Sequence, residues 1–154
     1  MAGADRGGGW VVAQFVLMAV IAAAVVVPPD WPDGARVPFA AFGVALALAG
    51  GALAVWAGRA LGRSLTPFPK PAAAGSLVDN GPFGRVRHPI YSGGLLFCAG
   101  WSLFAGPVAL ALTGVLGILW ALKARVEERH LASRYPAYSA YARRVRFRLV
   151  PGLY

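Results

Sequence analysis

The sequence predicts an all-α fold: a polytopic membrane helical bundle of four transmembrane helices. The last two close into a tight helical hairpin, and a cytoplasmic loop and an interfacial C-terminal helix complete a single domain over 1–154. Three observations carry this reading. Hydrophobic residues make up 58% of the 154 positions and charged residues 14%, about half the charged share of a soluble domain. Long apolar runs recur, broken by Pro, Gly and polar stretches. Basic residues stand at the ends of those runs and in the tail, where they face anionic lipid heads. Other classes fall away. Disorder needs low hydrophobicity, and a disulfide scaffold needs paired cysteines, whereas Cys98 is alone. The net charge of +9 calls for a negative partner, and its placement favours membrane lipids over nucleic acid.

Spans are expected at 10–27, 37–58, 90–105 and 107–122, because a hydrocarbon core of about 30 Å takes about 20 helical residues. The first is apolar except for Gln14 and stops at Pro28-Pro29. It is long for a signal peptide and lacks small residues at a cleavage end, which favours a retained span. In the second, Gly43, Ala47 and Gly51 recur at every fourth position, a stripe that lets another helix approach closely. Ala105-Gly106-Pro107 divides the stretch from Ile90 to Leu122, since Gly ends a helix and Pro opens one. Each half is about 24 Å long. Gly94, Cys98, Ser102 and Gly106 form a second small stripe, with Cys98 as a packing residue. On this topology every Lys and Arg except Arg36 lies on one side, Arg6 included. Positive residues stay inside. Both termini, 59–89 and 123–154 are therefore expected in the cytoplasm, with the spans in the cell (inner) membrane.

Every residue suited to chemistry lies on that face. Glu127 and Glu128 are the only glutamates, about one turn beyond the last span. Neighbours on a helix point about 100° apart, so the two are not expected to face one cavity. Glu128 shares a face with Gly117, Ala121 and Ala124, whereas Glu127 shares one with Leu116, Trp120 and Lys123. In the loop, Asn80-Gly81-Pro82 marks a turn. His88-Pro89 opens a span, and a helix start with unpaired N–H groups suits an anionic group. Gly93 and Gly94, within a turn of Tyr91, leave room for a flat ligand. A metal site is not expected: His88 and His130 are the only histidines, and Cys98 is deep in a span.

Arg87-His88-Pro89-Ile90-Tyr91-Ser92-Gly93, then a hydrophobic hairpin, then Glu127-Glu128-Arg129-His130-Leu131, resembles the signature of the isoprenylcysteine carboxyl methyltransferase family. These are integral membrane enzymes using S-adenosylmethionine, and phospholipid N-methyltransferases are their relatives. The resemblance runs from about 75 to 151, taking in Ser76 to Phe83 upstream and Tyr138, Tyr141, Val145 and Pro151 downstream. It implies cofactor contacts at Leu77, Val78, Phe83, His88, Pro89, Ile90, Tyr91 and Glu127, and a substrate-side cation at Lys123. Phe83 stands where the family has tyrosine, Gly75 where animal relatives have histidine, and Lys123 where the family has arginine. Lysine keeps the charge but not the bidentate grip on a carboxylate. Glu127 follows from the resemblance and Glu128 from the face argument, so both stand as candidates.

The resemblance implies methyl transfer to a lipid-like or prenylated small molecule drawn from the membrane. A carboxylate acceptor needs no base, whereas an amine must lose a proton, for which Glu128 or His130 is available. Four alternatives remain at this point: a phospholipid or other small-lipid N-methyltransferase, a transporter, a non-enzymatic membrane partner, and a lipid reductase using a nicotinamide cofactor. The absence of Asp, Glu, Lys and Arg from all four expected spans counts against coupled transport.

Overall fold

The structure, a computed structural model, describes residues 7–28 and 30–152. Arg6 and Pro29 lie outside the described residues. Among the described residues five α-helices follow one another: α1 Gly8–Ala23, α2 Asp33–Leu61, α3 Pro89–Ala105, α4 Pro107–Arg134 and α5 Tyr138–Arg144. Short 3-10 turns extend α1 to Val26 and α2 to Ser64, and another covers Gly81–Gly84. No strand occurs among the described residues.

Gly8–Val26, Asp33–Ser64 and Pro107–Arg134 are long and apolar enough to cross a membrane; α3, at 17 residues, is apolar but shorter. No more than 33% of the most apolar stretch of each long helix is buried inside the protein. Val12, Phe15 and Val16 on α1, Phe42, Val44 and Leu48 on α2, and Val115 and Ile118 on α4 all point outward. A water-soluble protein rarely exposes such continuous apolar surface.

One element boundary differs from the sequence reading. Helix α2 starts at Asp33 rather than near Val37, which brings Arg36 into the helix with Asp30 at 3.1 Å. Helix α4 continues past the expected span end at Leu122, unbroken to Arg134. No Gly or Pro interrupts this stretch, and Leu116, Trp120, Lys123, Ala124 and Glu128 continue one buried face. Residues after the expected span are thus a helical extension followed by the seven-residue α5.

The helices form a folded row: α2 packs on α3, α3 on α4, and α4 on α1. The α2–α3 contact is made by glycines. A Cβ on Gly50 would stand 2.5 Å from the Gly93 carbonyl oxygen, and one on Gly43 would stand 2.5 Å from that of Gly100. The α2 stripe therefore uses Gly43 and Gly50. At Gly51, named from the sequence, the nearest neighbour is the Phe97 ring at 3.8 Å. The drift from spacing four to seven follows from 3.6 residues per turn. The other stripe faces α4: Gly94 lies under Trp120, Cys98 packs with Leu116, and Ser102 Oγ is 2.8 Å from Thr113 Oγ1. These pairs run in opposite senses along α3 and α4, which only Gly106 separates, at φ 130°.

Candidate functional site

The site gathers where α3 begins and α4 leaves its apolar stretch. Pro89 occupies the first helical position, where a missing N–H costs nothing, and this fixes Tyr91 within the first turn. The Tyr91 ring is stacked between His88, with centroids 5.6 Å apart, and Trp120, 5.1 Å away. Its hydroxyl donates to Glu127 Oε1 at 2.5 Å. Lys123 Nζ lies 5.3 Å from the same ring and 3.8 Å from Glu127 Oε1.

His88 joins both glutamates. Its Nδ1 is 3.4 Å from Glu127 Oε2 and its Nε2 is 3.3 Å from Glu128 Oε1. The two glutamates do not share a cavity, as expected of neighbours on a helix: Glu127 lines the hollows at this site and Glu128 does not. The imidazole nevertheless wedges between them, their side chains reaching it from adjacent faces of α4. Burial opposes a charge on His88, but hydrogen bonds and attraction from Glu127 and Glu128 outweigh it and raise the pKa. An imidazolium can donate to both carboxylates at once. Glu128 is held further by Arg148 Nε at 2.9 Å and by Arg87 Nε at 3.1 Å.

Two hollows meet at this cluster. One, of about 120 Å³, is walled by the loop and α5, with Ser64, Thr66 and Ser76 supplying polar groups and Leu77, Val78 and Tyr135 apolar ones. The other, of about 600 Å³, opens between α1 and α2 over a floor of Gly94 and Trp120. His88, Phe83, Thr66, Leu61 and Glu127 line both and form the wall between them.

Of the residues predicted from the sequence, Leu77, Val78, Phe83, His88 and Glu127 line the polar hollow. Ile90, Tyr91 and Lys123 line the apolar one. Pro89 is buried and borders neither. Glu128 also borders neither; it stands behind His88 and lines a separate groove with Arg125, Arg129 and Arg148. Its place is that of a positioning residue. The tail pairs with the residues that lead into α3. His88 N–H donates to the Arg148 carbonyl and Arg87 N–H to that of Phe147, both at 2.9 Å, and Ser92 Oγ reaches Leu149 O. Backbone of α2 fills the room beside Gly93, whereas Gly94, with the Trp120 ring over its Cβ position, lines the apolar hollow.

Sequence reasoning passed over Gln14. Its Oε1 accepts from Lys123 Nζ at 2.6 Å and from Trp120 Nε1 at 3.2 Å, and Lys123 also donates to the Pro67 carbonyl at 2.7 Å. The signal was present, since Gln14 is the one polar residue of an apolar run. Tyr135 and Tyr141 tie the loop to the tail, donating to the Gly75 and Phe83 carbonyls at 2.9 Å.

The model of the phospholipid methyltransferase family matches residues 39–138, from early α2 to the start of α5. The chain belongs to that family. Isoprenylcysteine carboxyl methyltransferases fall in the same superfamily of integral membrane methyltransferases. The match takes in every residue of the wall between the hollows, whereas Gln14 and the rest of α1 lie outside it. The chain is also similar to the cobalt-zinc-cadmium resistance protein CzcN of Cupriavidus metallidurans, being 42% identical over 73 residues. That stretch is 45% of this chain and 33% of the relative, so the chain spans about a third of that protein's length. Membership of this family and three helices long and apolar enough to cross a membrane together mark the chain as an integral membrane protein.

Proposed function

We propose that the chain is an S-adenosylmethionine-dependent methyltransferase that modifies a lipid-like acceptor from within the membrane. One observation carries this reading: a polar hollow and an apolar, laterally open hollow share a wall that presents a carboxylate. In the accompanying topology α3 is a fourth, short span of about 26 Å. Both termini and the loop then lie on the cytoplasmic side of the cell (inner) membrane, in keeping with the distribution of Lys and Arg.

The residues present fit the donor. S-adenosylmethionine supplies a methyl group on a cationic sulfonium. Glu127 offers it a carboxylate, Phe83 offers an aromatic face for a cation, and Leu77, Val78 and Tyr135 suit a flat ring. Ligand pockets usually measure about 300–1,000 Å³. The polar hollow of about 120 Å³ therefore accommodates one end of such a donor, and the adjoining hollow the rest.

The chain's own contribution is placement. Tyr91 and His88 fix the Glu127 carboxylate at the shared wall, and Arg87 and Arg148 brace His88 through Glu128. Tyr91, Trp120 and Phe97 exclude water from the apolar side. Alignment and a dry setting favour methyl transfer between a cationic donor and an anionic or neutral acceptor. Lys123 faces the acceptor side but is engaged by Gln14 and Pro67, so it steadies the wall rather than reaching out.

Incubating membranes with radiolabelled donor and separating lipid from protein products tests this. Label is expected in the lipid fraction, dependent on Glu127. Label in amine-bearing phospholipids would make the enzyme an N-methyltransferase, and label in acidic lipids an O-methyltransferase. Absence of donor binding by calorimetry, with nicotinamide cofactors bound instead, would overturn the proposal.

A further inference from the structure

One polar group in the apolar hollow is left over by the contacts described so far. Gln14 is only 6% exposed and lines that hollow beside Phe15 and Met18 of its own helix. Its Oε1 accepts from Lys123 Nζ and from Trp120 Nε1. An ammonium and an indole N–H can only donate, so the amide must present its oxygen to them. The NH2 end is thereby turned the other way. It carries two protons and makes no hydrogen bond among the described residues.

A polar group this deeply buried normally finds a partner. Of the acceptors that line the hollow, Glu127 serves Tyr91 and Thr66 serves the Phe68 N–H. The hollow opens to lipid, and hydrocarbon offers no acceptor. The partner of the amide therefore has to come with the molecule that enters.

We propose that Gln14 holds an oxygen of the lipid-like molecule that fills this hollow, a carbonyl or carboxyl oxygen of its head group. An ammonium head does not fit, because it would set its own donors against two N–H groups and the Lys123 ammonium. Lys123 stands four residues before Glu127 on α4, so the held oxygen lies about 6 Å below the wall shared by the two hollows. The head group then reaches that wall while the chain runs out between Phe15 of α1 and Val55 of α2. The contact comes from α1, outside the stretch that the family model matches. Calling the bound molecule the methyl acceptor rests on the function proposed above; its binding at Gln14 does not.

Gln14 is the only glutamine of the chain, so glutamine labelled with heavy nitrogen in its side chain gives a single amide pair by NMR. The full chain in non-ionic detergent is titrated, without methyl donor, with methyl hexadecanoate, hexadecanoate, hexadecylamine or hexadecane. The two probes that bear oxygen should move the amide protons downfield, and the other two should not. A larger shift with hexadecanoate assigns an acidic head, and a larger shift with the ester assigns an uncharged carbonyl. Equal shifts with hexadecane would mean enclosure alone and overturn the proposal. A silent amide, with the ester retained in native mass spectrometry, would do the same. Gln14→Glu separates ligand binding from support of Lys123. It keeps an oxygen for Lys123 and Trp120 but turns the donors facing the hollow into an acceptor. Retention of methyl hexadecanoate should fall about tenfold, the order of one lost hydrogen bond, and hexadecylamine should be retained instead. A folded Gln14→Glu protein with the wild-type preference would overturn the proposal. No step uses S-adenosylmethionine, so failure to bind that donor would sink the proposed function and leave this assignment standing.

Discussion

Glu127 does most of its work through the groups that hold it. Tyr91 donates to it, His88 faces it, and Lys123 sits 3.8 Å away. Glu127→Gln keeps the shape and removes the charge, so binding of S-adenosylmethionine should weaken well over tenfold while expression stays normal. That magnitude follows from about 1.5–3 kcal/mol for a hydrogen bond to a charged group. Calorimetry in detergent checks it, and unchanged affinity would take Glu127 out of the site. His88 makes a separate prediction. Its folded pKa is raised above the ordinary 6.5. Its contribution to stability is therefore full below that value and is lost as pH rises through the folded pKa. The melting temperature should decline over that upper window, and His88→Gln should flatten the decline. A decline that survives the substitution would assign it to another group.

At the scale of the helices, close approach decides. Gly50 meets the backbone of α3 and no flexible atom can yield there, so Gly50→Ala should lower the melting temperature by several degrees. Gly58, in the same helix, has nothing within 4 Å. There Gly58→Ala should be neutral or stabilising, since alanine gains up to about 1 kcal/mol in helix propensity. Equal effects at both positions would mean that the α2–α3 contact does not govern stability. Existence and order of the apolar helices were legible in the sequence because lipid-facing runs have an unmistakable composition. The break at Ala105-Gly106-Pro107 was legible for the same reason: Gly and Pro punctuate helices wherever they occur. What periodicity could not deliver was which glycine faces which helix, because a drift of 3.6 against 4 residues per repeat moved the contact from Gly51 to Gly50. The helix that carries Glu127 and Glu128 beyond the expected span was legible too, since nothing in Lys123–Arg134 breaks a helix.

For the whole molecule, the candidate site depends on distant segments being brought together. His88, Tyr91, Glu127 and Lys123 were found from motif and position. Gln14, the wedging of His88 between two carboxylates, and the pairing of the tail with the residues before α3 were not, since each depends on a neighbour remote in sequence. Tyr141→Phe should show this dependence. It removes a buried hydrogen bond to the Phe83 carbonyl, worth about 1 kcal/mol, and leaves that carbonyl unpaired. Trypsin should then cut faster after Arg85 and Arg87, as followed by mass spectrometry; an unchanged rate would mean that the tail is held mainly by Leu149 and Val145. The Gln14 contact reaches further. Two thirds of the fold carries the shared family pattern, yet an amide from outside it accepts a hydrogen bond from a nearly inaccessible ammonium. Leading helices are accordingly not interchangeable parts: a chimera whose substitute segment carries leucine at that depth would take one acceptor from a buried cation, however well it inserted.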